Sequence, residues 1–156
     1  MKKLVVFYSR TQTTKKVGEE LAKQLNCDYE ELFDTKNRMG VMGYLKAGKD
    51  AGTKKLTILK DTQIDPSKYD LIIIGTPIWN WNMSTPIRTY IHHNKDKFNK
   101  VAFFCTMGGS SGKTFRSMEE LCGKKPEATL ELRTKEVKKG EHKEKIRGFV
   151  KSITKK

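Results

Sequence analysis

Four consecutive branched apolar residues, Leu71-Ile72-Ile73-Ile74, closed by Gly75, constrain this chain more than any other feature. A strand with one wet face alternates apolar and polar residues. A strand with no polar position in four must be covered on both faces. That is the condition of a strand inside a parallel sheet, with helices packed above and below it. Leu4–Tyr8 and Val101–Cys105 have the same character, Ala128–Leu132 reads as a further strand, and Asp28–Phe33 as a more acidic one at a sheet edge.

Between these runs the period changes. Val17, Leu21, Ala22 and Leu25 recur at three-to-four spacing and predict a helix over Lys15–Leu25. Pro86 suits the first turn of a helix running through Ile87 and Ile91. Another helix covers Lys113–Leu121, ended by Gly123 and Pro126, and a basic amphipathic helix covers Lys138–Ile153. Residues 36–56 are basic and punctuated by Gly40, Gly43, Gly48 and Gly52, with room for a short helix around Val41–Ala51. Strict alternation with short connections means parallel strands joined by right-handed crossovers. The expected class is therefore α/β, a doubly wound three-layer sandwich. A length of 156 residues suits one such domain, spanning 1–156.

Composition removes several function classes. No apolar stretch approaches the ~20 residues a membrane-spanning helix needs. The apolar run after Met1-Lys2-Lys3 is only five residues long, too short for a secretory signal. Cys27, Cys105 and Cys122 are an odd count with no C-x-x-C, which fits reduced thiols and a cytoplasmic protein. The net charge of +14 is concentrated. Residues 36–60 hold seven basic residues and one acid, Asp50, and residues 135–156 hold nine and three. Such fields attract acidic proteins or anionic substrates.

Ligands of doubly wound sheets bind beyond the carboxyl ends of the strands, so three loops matter most. The first, Ser9-Arg10-Thr11-Gln12-Thr13-Thr14, sets four hydroxyls between a buried strand and a helix N-terminus. Free amides and the helix dipole favour an anion there, and four hydroxyls exceed what a cap needs. The second, Thr76-Pro77-Ile78-Trp79-Asn80-Trp81-Asn82-Met83-Ser84, holds both tryptophans. Two indoles in so short a loop ask for a flat partner. The third, Thr106-Met107-Gly108-Gly109-Ser110-Ser111-Gly112, has three glycines that let backbone approach a ligand closely. Met107–Thr114 nearly matches G-x-x-x-x-G-K-[ST]. Met107 stands where the first glycine must be, and no later strand ends in a magnesium-holding Asp. Nucleoside triphosphate hydrolysis is therefore disfavoured.

A phosphate cradle, an aromatic loop and a backbone-lined loop on one sheet edge describe a mononucleotide with a large flat ring. At this point the chain resembles the flavodoxin-like family. The resemblance covers nearly the whole length and is carried by V-V-F-Y-S-R-T-Q-T-T-K-K-V, Y-D-L-I-I-I-G-T-P-I-W, T-P-I-R-T-Y-I and V-A-F-F-C-T-M-G-G-S. It implies a five-stranded sheet in the order 2-1-3-4-5 that binds FMN non-covalently and moves electrons between a donor and an acceptor. It implies that Ser9, Arg10, Thr11, Gln12, Thr13 and Thr14 hold the phosphate. Thr76, Pro77, Ile78, Trp79, Asn80, Trp81 and Asn82 would then face one side of the isoalloxazine, and Thr106, Met107, Gly108 and Gly109 the other. Such phosphate loops usually have Gly where Gln12 stands, and many flavodoxins carry an aromatic in the third loop. Electron-carrier flavodoxins tend to be acidic, so this basic chain looks more like the oxidoreductases of the family, acting as a monomer or homodimer. The acceptor would be quinone-like, a nicotinamide or a protein.

The residues also bear on two other readings. His92-His93 sits at a helix end, where neighbours do not share a face, and no carboxylate pair falls in the three loops. Metal and hydrolytic chemistry are disfavoured accordingly. A basic nucleic-acid or anion-binding module without redox activity would use the two charged segments, but no aromatics interleave with them to stack on bases.

Overall fold

The apolar run of residues 71–74 lies in the middle of the sheet that it predicts. In the computed structural model, which describes residues 1–155, strand β3 (Leu71–Trp79) pairs in parallel with β1 (Lys3–Tyr8) on one side and β5 (Lys100–Met107) on the other. Strand β2 (Asp28–Leu32) adds to β1, and β6 (Thr129–Arg133) adds to β5. The order is β2-β1-β3-β5-β6. A two-residue strand, β4 (Asn82–Met83), pairs antiparallel with the end of β3. With β4 set aside, this is the 2-1-3-4-5 order of a flavodoxin-like sandwich.

Each face of the sheet has its own core. Val5, Phe7, Ile73 and Phe104 face α1 (Thr13–Leu25), α5 (Thr134–Lys139) and α6 (Lys143–Thr154). Leu4, Val6, Ile72, Ile74 and Phe103 face α2 (Gly40–Gly52), α3 (Thr85–Asn94) and α4 (Thr114–Cys122). These strand residues are fully buried. Burying each such apolar side chain is worth about 1.5–3 kcal/mol.

Two boundaries differ from the sequence expectation. Residues 76–85 are not all loop: β3 continues to Trp79 and turns back as a hairpin. The C-terminal basic segment is two helices. Gly140 adopts a φ of 75° and caps α5, with its N–H donating to Val137 O and the Glu141 N–H to Glu136 O. That left-handed residue redirects the chain before α6 begins.

Candidate functional site

The loop after β1 enters α1 through Gln12, whose φ of 73° is left-handed. That geometry explains why glycine is usual at this place, since a side chain there costs roughly 1–2 kcal/mol. Gln12 gives α1 no side-chain cap, and the first turn has no acid. The amides and dipole of α1 are thus left for an anion. Ser9 Oγ is shut off from solvent with no hydrogen-bond partner. Thr11 and Gln12 are exposed and Thr13 is half-buried. The Thr14 hydroxyl is buried and pairs with the Thr106 hydroxyl at 2.8 Å, tying the first loop to the end of β5. Arg10 turns away from the loop. Its guanidinium donates to Arg38 O at 2.7 Å and Gly40 O at 3.2 Å, and lies 5.3 Å from the Tyr44 ring.

The second loop is a two-residue hairpin turn. Asn80 (φ 49°) and Trp81 (φ 57°) are both left-handed, between the facing pairs Ile78–Met83 and Trp79–Asn82. This is the turn that matches strand twist, and it favours Asn-Gly. Trp81 occupies the glycine position and stays 64% exposed. Trp79 is buried instead, edge-on to Tyr8 with ring centres 5.4 Å apart and with the Arg38 guanidinium over its ring. The two indoles therefore part: protein covers one, and the other stands free. Thr76 and Asn82 are buried. Thr76 accepts the Ser84 N–H at 2.9 Å and donates to Pro77 O at 2.8 Å, and Asn82 accepts the Met83 N–H at 2.9 Å. They shape the hairpin from within.

The third loop packs behind the turn. The Lys113 N–H donates to Trp81 O at 3.2 Å. Gly112 is left-handed (φ 55°), and a Cβ there would come within 2.6 Å of Trp81 Cβ. Between the hairpin, the third loop and α2 lies a cleft of about 480 Å³, within the usual size range of small-molecule sites. Of the residues singled out in the sequence, Ile78, Trp79, Asn80, Trp81, Met107, Gly108 and Gly109 line it. Thr76, Pro77, Asn82 and Thr106 do not, and the first loop lies outside its walls.

Helix α2 supplies the wall that sequence reasoning missed, through Tyr44, Leu45, Gly48 and Lys49. Arg38, at the start of the α2 segment, is buried and bonds Asp34 and Asp50, each at 2.7 Å. Burial alone pushes the Asp50 carboxyl up and Arg38 down. The ion pairs outweigh it, so Asp50 titrates below and Arg38 above its ordinary value. The signal for this wall was Asp50 itself, the lone acid in the basic stretch 36–60. Nearby, burial and then Asp34 push Tyr8 up to about 12. Burial likewise pushes Cys105 to about 12, so that thiol stays neutral. Among the described residues, no helix is long and apolar enough to cross a membrane.

Residues 2–153 match the family described as Flavodoxin. The chain belongs to the flavodoxin family. It is similar to a flavoprotein from Lactobacillus acidophilus solved in complex with FMN, at 27% identity over 88% of this chain and 97% of that one, with a TM-score of 0.71. The apo form of a flavoprotein from the same organism, solved by NMR, matches with 27% identity over 85% of this chain and 91% of that one, with a TM-score of 0.62. A flavodoxin from the domain Archaea shares the fold at 15% identity, covering 97% of this chain and 96% of that one, with a TM-score of 0.58. No curated protein matches the chain. Family and FMN complex together support FMN as the cofactor, and the residues here fit it. An uncapped helix N-terminus and the unpartnered Ser9 Oγ suit a phosphate, and a cleft edged by Trp81 and Tyr44 suits a flat ring.

Proposed function

We propose that this protein binds FMN across the carboxyl edge of the sheet and passes electrons between a cytoplasmic donor and acceptor, as one domain. The observation that carries the reading is an aromatic-edged cleft on the same sheet edge as an anion-ready helix N-terminus. Bound there, FMN supplies the redox chemistry. The chain's part is placement. Ser9, Thr11, Thr13 and Thr14, with the first amides of α1, hold the phosphate, and Gln12 turns the loop around it. Arg10 does not touch the phosphate in this reading and instead fixes the start of α2. Ile78, Trp79, Asn80 and Trp81 seat one side of the ring, and Met107, Gly108 and Gly109 line the other. Thr76, Pro77, Asn82 and Thr106 hold those loops in shape.

No aromatic from the third loop covers the cleft, and Trp81 stands at its rim. This favours an oxidoreductase whose flavin face is open to a flat acceptor, quinone-like or a nicotinamide, over a one-electron carrier. The rim adds a docking surface, since Val41, Met42, Tyr44 and Leu45 are exposed beside Lys46 and Lys49. An acidic redox partner or an anionic substrate suits it, and opposite charge would make association fast and salt-sensitive. The test is to denature the purified protein and identify the released flavin by chromatography. FMN is the expected result. FAD, or no flavin after reconstitution, would contradict the reading.

A further inference from the structure

We propose that the acceptor of this cleft is a flat ring bearing a carboxylate, and that Lys49 is the residue that selects it. The inference deepens, and rests on, the reading of the cleft as a flavin site open to a flat acceptor. That reading gives the hairpin and the third loop to the flavin ring. It leaves the α2 wall, formed by Tyr44, Leu45, Gly48 and Lys49, to whatever enters beside the flavin. The chemistry of that wall then decides which flat molecules are accepted.

The charge of the cleft is one-sided. Of the residues that line it, Lys49 alone is charged, and none is acidic. Lys49 is exposed, and among the described residues its ammonium makes no ion pair with a carboxylate. Its chain neighbour Asp50 is the one acid of residues 36–60, but it is buried and already matched by Arg38 at 2.7 Å. A second cation backs the same wall, since the Arg10 guanidinium lies 5.3 Å from the centre of the Tyr44 ring. The partners of Arg10 are the Arg38 and Gly40 carbonyls, which accept its hydrogen bonds without cancelling its charge. The rest of the cleft is neutral and largely apolar or aromatic, through Leu45, Ile78, Trp81 and Met107. Small-molecule sites of this kind bind by apolar contact and discriminate by a few placed polar groups. Here the aromatic side chains suit the ring, and Lys49 is the cation within the walls that can pair with its substituent. Lys46, on the same helix, is exposed but lines no part of the cleft. An acidic protein on the outer rim would meet Lys46 as readily as Lys49, whereas a molecule small enough to enter distinguishes them.

The test is equilibrium binding of two probes to the oxidised, FMN-loaded protein, read by the change in flavin absorbance. The probes are naphthoate and naphthamide, the same isomer of each, which share a ring and differ in charge. Naphthoate should bind about fivefold more tightly at low salt, as expected of a partly exposed ion pair. The advantage should shrink as salt rises. Lys49→Gln should remove it by weakening naphthoate alone, Lys49→Arg should keep it, and Lys46→Gln should leave most of it. Equal affinity for the two probes in the wild type would overturn the proposal. So would an equal loss of naphthoate affinity in Lys46→Gln, which would mean a general field with no selecting residue. A Lys49→Gln protein that still prefers naphthoate would overturn it too, leaving that lysine only the helix dipole to offset. A matching loss of FMN affinity in Lys49→Gln would place the lysine on the flavin and likewise overturn it. Loading with FMN is read beforehand from the yellow colour, so failure of the flavin reading and failure of this one are distinguishable.

Discussion

Helices α1 and α2 are both 13 residues long, yet they are built inside out relative to each other. Helix α1 buries Val17, Leu21 and Ala22 and turns its lysines outward. Helix α2 buries Gly43, Ala47, Asp50 and Ala51, and it exposes Val41, Met42, Tyr44 and Leu45, each more than half. The first is held as most helices are, by transfer of large apolar side chains out of water. The second is held by small residues lying close to the sheet and by the Arg38–Asp50 ion pair. The difference separates scaffold from site. Large apolar groups left on a surface mark a place where something else binds, and α2 is one wall of the cleft.

The largest effect that would break this contrast is removal of its polar anchor. Arg38→Ala leaves Asp34 and Asp50 buried without a counter-charge, and should destabilise the protein by about 3–5 kcal/mol. Hydrogen exchange should then rise in α2 while α1 stays protected. Equal loss in both helices would show that the pair supports the whole fold. Next in size is Leu21→Ala in α1, expected to cost about 2–5 kcal/mol in urea unfolding. The matching change Leu45→Ala in α2 should fall within about 0.5 kcal/mol while weakening flavin binding. A large stability loss at Leu45 would contradict its role as a surface wall.

Acid sharpens the same contrast. Asp50 titrates below its ordinary value when folded. Its contribution is therefore complete above the unfolded carboxylate pKa of about 4 and is lost as pH falls through the lower folded value. Protection of α2, taken relative to the intrinsic exchange rate, should fall as pH drops below about 4, and Asp50→Asn should flatten that dependence. The smallest effect belongs to the hairpin. Trp81→Gly relieves a left-handed side chain and should stabilise the apo protein by roughly 1 kcal/mol, while lowering flavin affinity. Unchanged affinity would remove Trp81 from the site.

The scaffold was legible where one residue pattern had one physical solution. Leu71–Ile74 can only be a doubly covered strand, and the spacing of Val17, Leu21 and Ala22 can only face one core. Helix α2 was harder, because its large apolar residues sit on the outside and its inner face is made of small ones. Apolar spacing therefore pointed away from its buried side, and Tyr44 and Leu45 escaped notice as cleft residues. The aromatic loop was half legible. The need for a flat partner follows from Trp81, but the pairing of Trp79 with Tyr8 and Arg38 joins residues 71 and 41 positions away, which no local pattern encodes. The break at Gly140 is visible only in hindsight, since glycine is tolerated within helices as well as at their ends.

The most direct test compares FMN with riboflavin, which lacks the phosphate, in the wild type and in Ser9→Ala/Thr11→Val. Each hydrogen bond to a charged group is worth about 1.5–3 kcal/mol, so losing two should weaken FMN binding by about a hundredfold or more. Riboflavin affinity should be unchanged, because the cleft that seats the ring is intact. Equal losses for both ligands, or none for FMN, would contradict the assignment of the β1–α1 loop as the cradle of the FMN phosphate.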